Sequence, residues 1–182
     1  MLAMGQSRDR VVETSLRMFA DNGYSAVSMR DLAKALGIQA PSIYSHFESK
    51  DALLAAIVGP FIEAMRDLLD GFPAGSVSPS DRRAWLTEAI TLLAAHPRQL
   101  QLVTGDRSLA QHPMFGPQLR DIRSLLIERL IRAGAVDSDR AVAIIGAIVY
   151  SLLPRSESAD LDPEPADVPK VVRMVEVFLD AG

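Results

Sequence analysis

The chain has 182 residues, of which 48% are hydrophobic, and its 23 acidic and 19 basic side chains give a formal net charge of −4. The sequence contains no cysteine, which excludes disulfide bonds and thiol chemistry. The first residues, MLAMGQSRDR, lack an apolar signal segment, and the longest apolar stretch, 141–153, is far shorter than the about 20 residues of a membrane helix. We therefore expect a cytoplasmic protein that does not enter a membrane.

The first strong local signal is a short helix that begins at about Met29. Ser28 is a suitable N-cap, and Asp31 lies in the first turn, where the helix dipole favours an anion. Gly37 is the residue best able to adopt the left-handed backbone that ends a helix. The apolar face of this predicted helix consists of Met29, Leu32, Ala33 and Leu36.

A second short helix follows directly. Gln39 lies at its N-cap position, and Pro41 is tolerated because first-turn N–H groups have no helical partner. Ile43 and Phe47 are predicted to face inward. Two short helices joined by a glycine turn indicate a helix-turn-helix, whose second helix enters a DNA major groove. The outward residues of that helix are Gln39, Ala40, Ser42, Tyr44 and Ser45.

Over about residues 8 to 58 the chain resembles the TetR family of bacterial one-component regulators (TetR/AcrR-like). The resemblance rests on Phe19, Gly23, Tyr24, Ser28, Leu32, Ala33, Gly37, Ile38, Ile43, Tyr44, His46, Phe47, Ser49, Lys50 and Leu53. It implies a three-helix DNA-binding domain at residues 1–58. A C-terminal helical domain for effector binding and dimerisation would then occupy residues 59–182.

The resemblance also implies how DNA is contacted. Phosphates would be bound by Ser28, Tyr44, His46 and Lys50, and base edges would face Gln39, Ala40, Ser42 and Ser45. Chemistry agrees, because a cation and a phenol suit phosphates and an amide pairs bidentately with adenine. Alternatives remain open: Gln39 as a plain N-cap, His46 as a capping or surface-packed imidazole, and Tyr44 as a ring packed beneath the next helix.

Charge in this region departs from what DNA binding favours. Residues 1–58 hold six basic and six acidic side chains, so the region is formally neutral. Because affinity for random DNA comes mostly from neutralising phosphates, we expect weak non-specific binding that depends on a few contacts and on dimer geometry.

The rest of the sequence also predicts helices, and no run with period two indicates a strand, so the fold class is all-α. We expect a fourth helix from about Lys50 to Leu69 that Pro60 bends or breaks. Further helices are predicted at about 79–95, 97–103 and 116–133, with another capped by Ser138. Residues 154–169, rich in proline and acid, are predicted to form a mobile loop, with repulsion of DNA as the alternative role.

Two apolar helices near the C-terminus predict a homodimer. The first, from Ala141 to Leu153, is apolar nearly all round. The second, from about Val168 to Leu179, is its expected partner in a four-helix interface between subunits. In the TetR family the last two helices pair with their symmetry mates. The predicted interface residues are Ala143, Gly146, Ala147, Tyr150, Val171, Val172, Val175 and Leu179.

The resemblance further implies a small apolar or amphipathic effector held by the C-terminal helices. Candidate wall residues are Phe61, Met65, Trp85, Leu102, Met114, Phe115 and Tyr150. Asp106, Arg107 and His112 lie in a Gly- and Pro-containing connection and are candidates for a cavity entrance. The partners expected are thus double-stranded DNA with an inverted-repeat operator, an unidentified effector and a second copy of the chain.

Two other classes of function were compared with this interpretation. An enzyme lacks support, because the three histidines lack metal-ligand spacing and there is no HExxH, GxSxG or Gly-rich phosphate motif. We therefore expect no catalytic residue, metal or cofactor. A helical ligand- or partner-binding module without operator binding is conceivable, because the DNA-binding region is neutral. Repression is the usual behaviour of the family.

Overall fold

In the computed structural model, which describes residues 2–153 and 167–180, regular structure is entirely helical and no strand occurs in these ranges. The all-α prediction is confirmed. The described helices are α1 (Leu2–Asn22), α2 (Met29–Leu36), α3 (Ala40–Tyr44), α4 (Lys50–Asp70), α5 (Pro79–Ala95), α6 (Pro97–Gly105), α7 (Arg107–Ala110), α8 (Phe115–Arg132), α9 (Ser138–Leu152) and α10 (Val168–Asp180).

The N-terminal helices share a small core with the start of α4. Phe19, Leu32, Ile43 and Leu53 each have 0% exposed surface, and they come from α1, α2, α3 and α4 respectively. Helix α4 continues from this core into the C-terminal helices, where it packs on α5 and α8. The predicted division at residue 58 therefore falls within one continuous helix.

Helix α4 is not broken at Pro60, so of the two expected outcomes, a bend or a break, the break is wrong. The helix is continuous from Lys50 to Asp70 with Pro60 inside it. Pro60 is exposed, whereas its neighbours Val58, Phe61 and Ile62 are buried. Burial of these apolar side chains on both sides of Pro60 outweighs the one backbone hydrogen bond that proline cannot donate.

Two further predicted boundaries differ in the structure. Asp137, rather than Ser138, caps α9, because its carboxylate accepts the Arg140 N–H at 2.8 Å. The connection predicted around residues 106–112 contains the short helix α7, which Asp106 caps. The helix predicted at 79–95 has those bounds in α5. Of the predicted acidic loop, residues 154–166 lie outside the described residues, and its end already belongs to α10.

Helix α10 packs on α5 as well as on α9, and this overturns half of the predicted dimer interface. The side chains of Val171, Val172, Val175 and Leu179 are buried inside the same chain. Two ion pairs hold α10 against α5: Arg83 binds Glu176 bidentately at 2.8 and 2.9 Å, and Arg82 lies 2.7 Å from Asp180. A side chain already buried in its own subunit has no surface left for a partner.

Across the described ranges, none of the helices combines the length and the apolar character needed to cross a membrane.

Candidate nucleic-acid interface and effector cavity

We call the outward face of α3, formed by Gln39, Ser42, Tyr44 and Ser45, the reading surface. The capped helix α2 positions it. Asp31 N–H donates to the Ser28 hydroxyl at 3.2 Å, while the Asp31 carboxylate accepts the Ser28 N–H at 2.9 Å, so each residue caps the other. The Ser28 hydroxyl, 2.6 Å from the Asp31 carboxylate, and the Ser28 N–H both donate to that carboxylate and hold the pKa of Asp31 below its usual range. At the other end, Gly37 takes φ 67°, as predicted for the turn into α3.

Helix α3 has one buried and one exposed face. Ile43 is fully buried, and Phe47 just beyond the helix is 4% exposed, so both inward predictions are confirmed. Tyr44 is 51% exposed. Gln39 occupies the N-cap position but its side chain makes no capping bond, so its amide is free of that role. The outward residues are Gln39, Ser42, Tyr44 and Ser45, with Ala40 and His46 partly exposed.

Lys50, the first residue of α4, is tied to the loop before α2. Its ammonium donates to the Tyr24 carbonyl oxygen and lies 4.0 Å from the centre of the Tyr24 ring. Burial lowers the pKa of Lys50, and the carboxylates of Asp51 and Asp106 oppose that shift. An ammonium has three N–H donors, so the bond to Tyr24 fixes its position and leaves donors for a phosphate.

A polar cluster joins the reading surface to the C-terminal helices. We define the junction cluster as Tyr24, Lys50, Asp51, Asp106 and His112. The Tyr24 N–H donates to Asp106 at 2.5 Å, the Tyr24 hydroxyl donates to Asp51, and His112 Nε2 lies 3.5 Å from Asp51 Oδ1. Burial and the bond to Asp51 raise the pKa of the Tyr24 hydroxyl. The loop before α2 is thus bonded to residues that flank α7.

Asp106 has two roles in the junction cluster. Besides accepting the Tyr24 N–H, it caps α7 by accepting the Ser108 N–H at 2.7 Å and the Ser108 hydroxyl at 2.6 Å. Burial alone would raise the pKa of Asp106, but the hydrogen bonds from Ser108 and Tyr24 hold it below its usual range. A movement of α7 therefore acts on the loop that leads into α2.

A cavity of about 480 Å³ lies among the six helices from α4 to α9. Three predicted wall residues, Phe61, Met65 and Trp85, line it, and the Trp85 indole N–H donates to the Leu68 carbonyl at 3.1 Å. The other four predicted wall residues do not line the cavity. Leu102 and Phe115 are buried elsewhere in the core, and Met114 and Tyr150 are exposed.

The surface of α9 and α10 carries apolar groups. Ala143, Gly146 and Tyr150 are exposed and Ala147 is partly exposed, so this half of the predicted interface is accessible. On α10 the exposed apolar residues are Val177 at 68% and Phe178 at 43%. We call Ala143, Gly146, Ala147, Tyr150, Val177 and Phe178 the α9/α10 face.

Comparison with known proteins assigns the N-terminal part. Residues 11–57 match the model of the bacterial regulatory proteins of the tetR family. These residues, 11–57, belong to the TetR family. A transcriptional repressor, KstR2 of Mycolicibacterium smegmatis, is 38% identical over 63 residues, which are 35% of this chain and 27% of that protein. The uncharacterized regulator YerO of Bacillus subtilis is 39% identical over 51 residues, 28% of this chain and 18% of YerO.

Solved structures extend the likeness in fold beyond the TetR-family domain. The ketosteroid transcriptional regulator KstR2 of Mycobacterium tuberculosis has a TM-score of 0.70 at 20% identity, covering 96% of this chain and 93% of that one. AmtR of Mycobacterium smegmatis has a TM-score of 0.71 at 20% identity, covering 94% and 85%. The curated relatives named above match over about a quarter of their length or less, whereas the fold is shared along nearly the whole chain.

Some residues of this chain acquire roles that the sequence did not indicate. Asp106 and His112 contact Tyr24 and Asp51 rather than the cavity, which corrects their predicted place at its entrance. Conversely, Arg120 and Arg123 line the cavity, although neither was among the predicted wall residues. Their spacing of three residues on one helix was the available signal. Within the described residues no group of His, Asp and Glu could hold a metal ion.

Proposed function

We propose that this protein is a cytoplasmic DNA-binding transcriptional regulator and represses transcription as a homodimer on an inverted-repeat operator. A small apolar or amphipathic effector releases it. Residues 1–58 form the DNA-binding unit and residues 59–182 the effector-binding and dimerisation unit. The observation that carries the proposal is the outward face of α3, held on a fully buried Ile43 within residues that match the family.

The contacts with DNA divide between backbone and bases. Ser28, Tyr44, His46 and Lys50 contact phosphates, and Gln39, Ala40, Ser42 and Ser45 face base edges. The free amide of Gln39 and the exposed hydroxyls of Ser42 and Tyr44 support this division. For Ser28, a phosphate contact has to replace the bond of 2.6 Å from its hydroxyl to Asp31.

Dimerisation uses the α9/α10 face. Tyr150, Val177 and Phe178 are large exposed apolar side chains of the kind that subunit contacts cover. Ala143 and Gly146 of α9 have small side chains or none, so they allow a second helix to approach closely. A two-fold axis here would present two reading surfaces about 34–36 Å apart, the distance between successive major grooves on one side of the duplex.

The effector acts through the cavity and the junction cluster. Ala110, the last residue of α7, lines the cavity, and Asp106 at the other end of α7 accepts the Tyr24 N–H. A molecule that displaces α7 would therefore move the loop before α2 and change the distance between the two reading surfaces. By linkage, operator binding must weaken effector binding by the same factor.

Selection of duplexes from a random library tests the proposal, because the operator is unknown. The full-length protein should enrich an inverted repeat, and sedimentation should give twice the chain mass of 19.8 kDa. The variant Gln39→Ala/Tyr44→Ala should enrich nothing while its circular dichroism is unchanged. A control at an exposed position of α4, Glu63→Gln, should enrich the same repeat. A dimer that enriches no sequence would contradict operator binding.

A helical ligand- or partner-binding module without operator binding is the second candidate. It is favoured by the neutral charge of residues 1–58. Such a protein would bind molecules in the cavity and enrich no duplex in the selection.

A further inference from the structure

We infer that the effector is an anionic amphiphile, with an apolar body inside the cavity and an acidic group bound by Arg120 and Arg123. This inference rests on the proposed function, since it takes the cavity to be the effector site. It adds the charge of the effector and the two residues that select it.

The lining of the cavity has an unusual balance of charge. Most of its surface comes from apolar side chains such as Phe61, Met65 and Ile90. Arg120 and Arg123 are the only ionisable side chains among the lining residues of the described structure, and no carboxylate accompanies them. The cavity therefore offers positive charge without a negative counterpart.

The two arginines lie where one anion can reach both. They are three residues apart in α8 and so neighbour each other on one side of that helix. Both are exposed, which places their guanidinium groups at the cavity rim rather than in its depth. Planar guanidinium groups bind carboxylate, sulfonate and phosphate oxygens bidentately, so a pair of them at a rim suits a single acidic group.

These arginines differ from others of the same chain. Arg83 is engaged bidentately by Glu176, and Arg82 pairs with Asp180. Within the described residues neither Arg120 nor Arg123 takes part in an ion pair, and Arg120 makes one long hydrogen bond of 3.4 Å, to the Ala110 carbonyl. A cationic effector would be repelled here, whereas an anionic one would gain charge-assisted hydrogen bonds that a neutral one lacks.

The same bond gives the anion a route to the reading surface. Ala110 ends α7, and a Cβ atom added at Gly116 would lie 2.5 Å from the Ala110 carbonyl oxygen, so α8 starts in close contact with that carbonyl. An acidic group that attracts Arg120 would break its bond to Ala110. The end of α7 opposite to Asp106 would then lose a contact with α8.

A pair of fluorescent dyes tests the charge directly. 8-Anilinonaphthalene-1-sulfonate is an anion, and N-phenyl-1-naphthylamine has the same aromatic body without the sulfonate. We expect the full-length protein to bind the sulfonate about tenfold more tightly, a difference of about 1.4 kcal/mol. The chain has a single tryptophan, Trp85, in the cavity wall, so energy transfer from it to the dye reports binding at this site.

Variants separate the inference from the proposed function. Arg120→Gln/Arg123→Gln should remove the preference for the sulfonate and leave the affinity of the neutral dye unchanged. Arg107→Gln removes the same charge from an exposed residue of α7 outside the cavity and should change neither affinity. Equal binding of both dyes by the unmodified protein, or a preference that persists in the double variant, overturns the inference. Absence of energy transfer with both dyes overturns the cavity as effector site.

Competition identifies the acidic group. Dodecanoate and dodecyl phosphate should each displace the sulfonate dye, and dodecan-1-ol should do so only at about tenfold higher concentration. Stronger displacement by dodecanoate assigns a carboxylate, and stronger displacement by dodecyl phosphate assigns a phosphate. Equal displacement by all three overturns the inference.

Discussion

The reading surface and the α9/α10 face are both exposed, but they were predictable to different degrees. At α2 and α3, caps, a glycine turn and helical spacing determine which side chain faces outward, and Ile43 and Tyr44 point as predicted. At α10 the same spacing identified an apolar face but not its partner. That face packs on α5 of the same chain, and Val177 and Phe178 are left outside. A pattern predicts that a face is buried, and the fold decides which surface buries it.

Replacement of Ile43, on the buried side of α3, is expected to have the largest effect on stability. Ile43→Ala should lower the free energy of unfolding by about 2–5 kcal/mol, because a fully buried side chain leaves a cavity. Chemical denaturation followed by circular dichroism measures this. A loss below about 0.5 kcal/mol would show that α3 is not held by this core.

Val175 and Val177 provide the matching test on α10. Val175→Ala should destabilise the subunit by about 1.5–3 kcal/mol, because it removes two buried methyl groups and leaves a cavity. Val177→Asp should leave the unfolding of a diluted monomer nearly unchanged and shift the sedimentation equilibrium from dimer to monomer. A dimer weakened by Val175→Ala alone would restore the original interface prediction.

Tyr44→Ala should weaken operator binding by about tenfold to a hundredfold, or about 1.4–2.8 kcal/mol, without changing stability. The phenol is half exposed on α3, so its removal costs a DNA contact and no core. Fluorescence anisotropy with the selected operator measures the loss. Native affinity in the folded variant would remove Tyr44 from the interface.

The junction cluster makes stability depend on pH. Hydrogen bonds lower the folded-state pKa of Asp106 below 3.8, so its contribution is complete above the unfolded value and is lost as the pH falls through the folded one. Asp106→Asn should therefore flatten the decline in stability below about pH 4.

A second variant tests the capping role of Asp106. Asp106→Ala should destabilise the protein by about 1 kcal/mol through loss of the α7 cap. It should also reduce the effect of the effector on operator affinity. An unchanged effector response would place the coupling elsewhere.

Lys50→Gln is expected to have the smallest effect. If the ammonium contacts a phosphate while bonded to Tyr24, the slope of log affinity against log salt should fall by about 1. An unchanged slope would restrict Lys50 to holding the Tyr24 loop.

The local sequence determined the helix-turn-helix and many of the residues at which helices begin and end. N-caps such as Ser28 and Ser78, and the left-handed Gly37, act through bonds within a few residues, so their effect can be predicted without the fold. The four apolar residues of α2, and Ile43 and Phe47 at α3, were likewise assigned to the buried side.

Tertiary packing decided the rest, because it brings together residues far apart in the chain. Whether Pro60 broke α4 depended on buried neighbours around it, and whether Val175 faced a partner depended on α5. The contact of Tyr24 with Asp106 spans 82 residues, and no local pattern specifies it. The cavity with its two rim arginines also exists only where six helices meet, since a void is a property of packing.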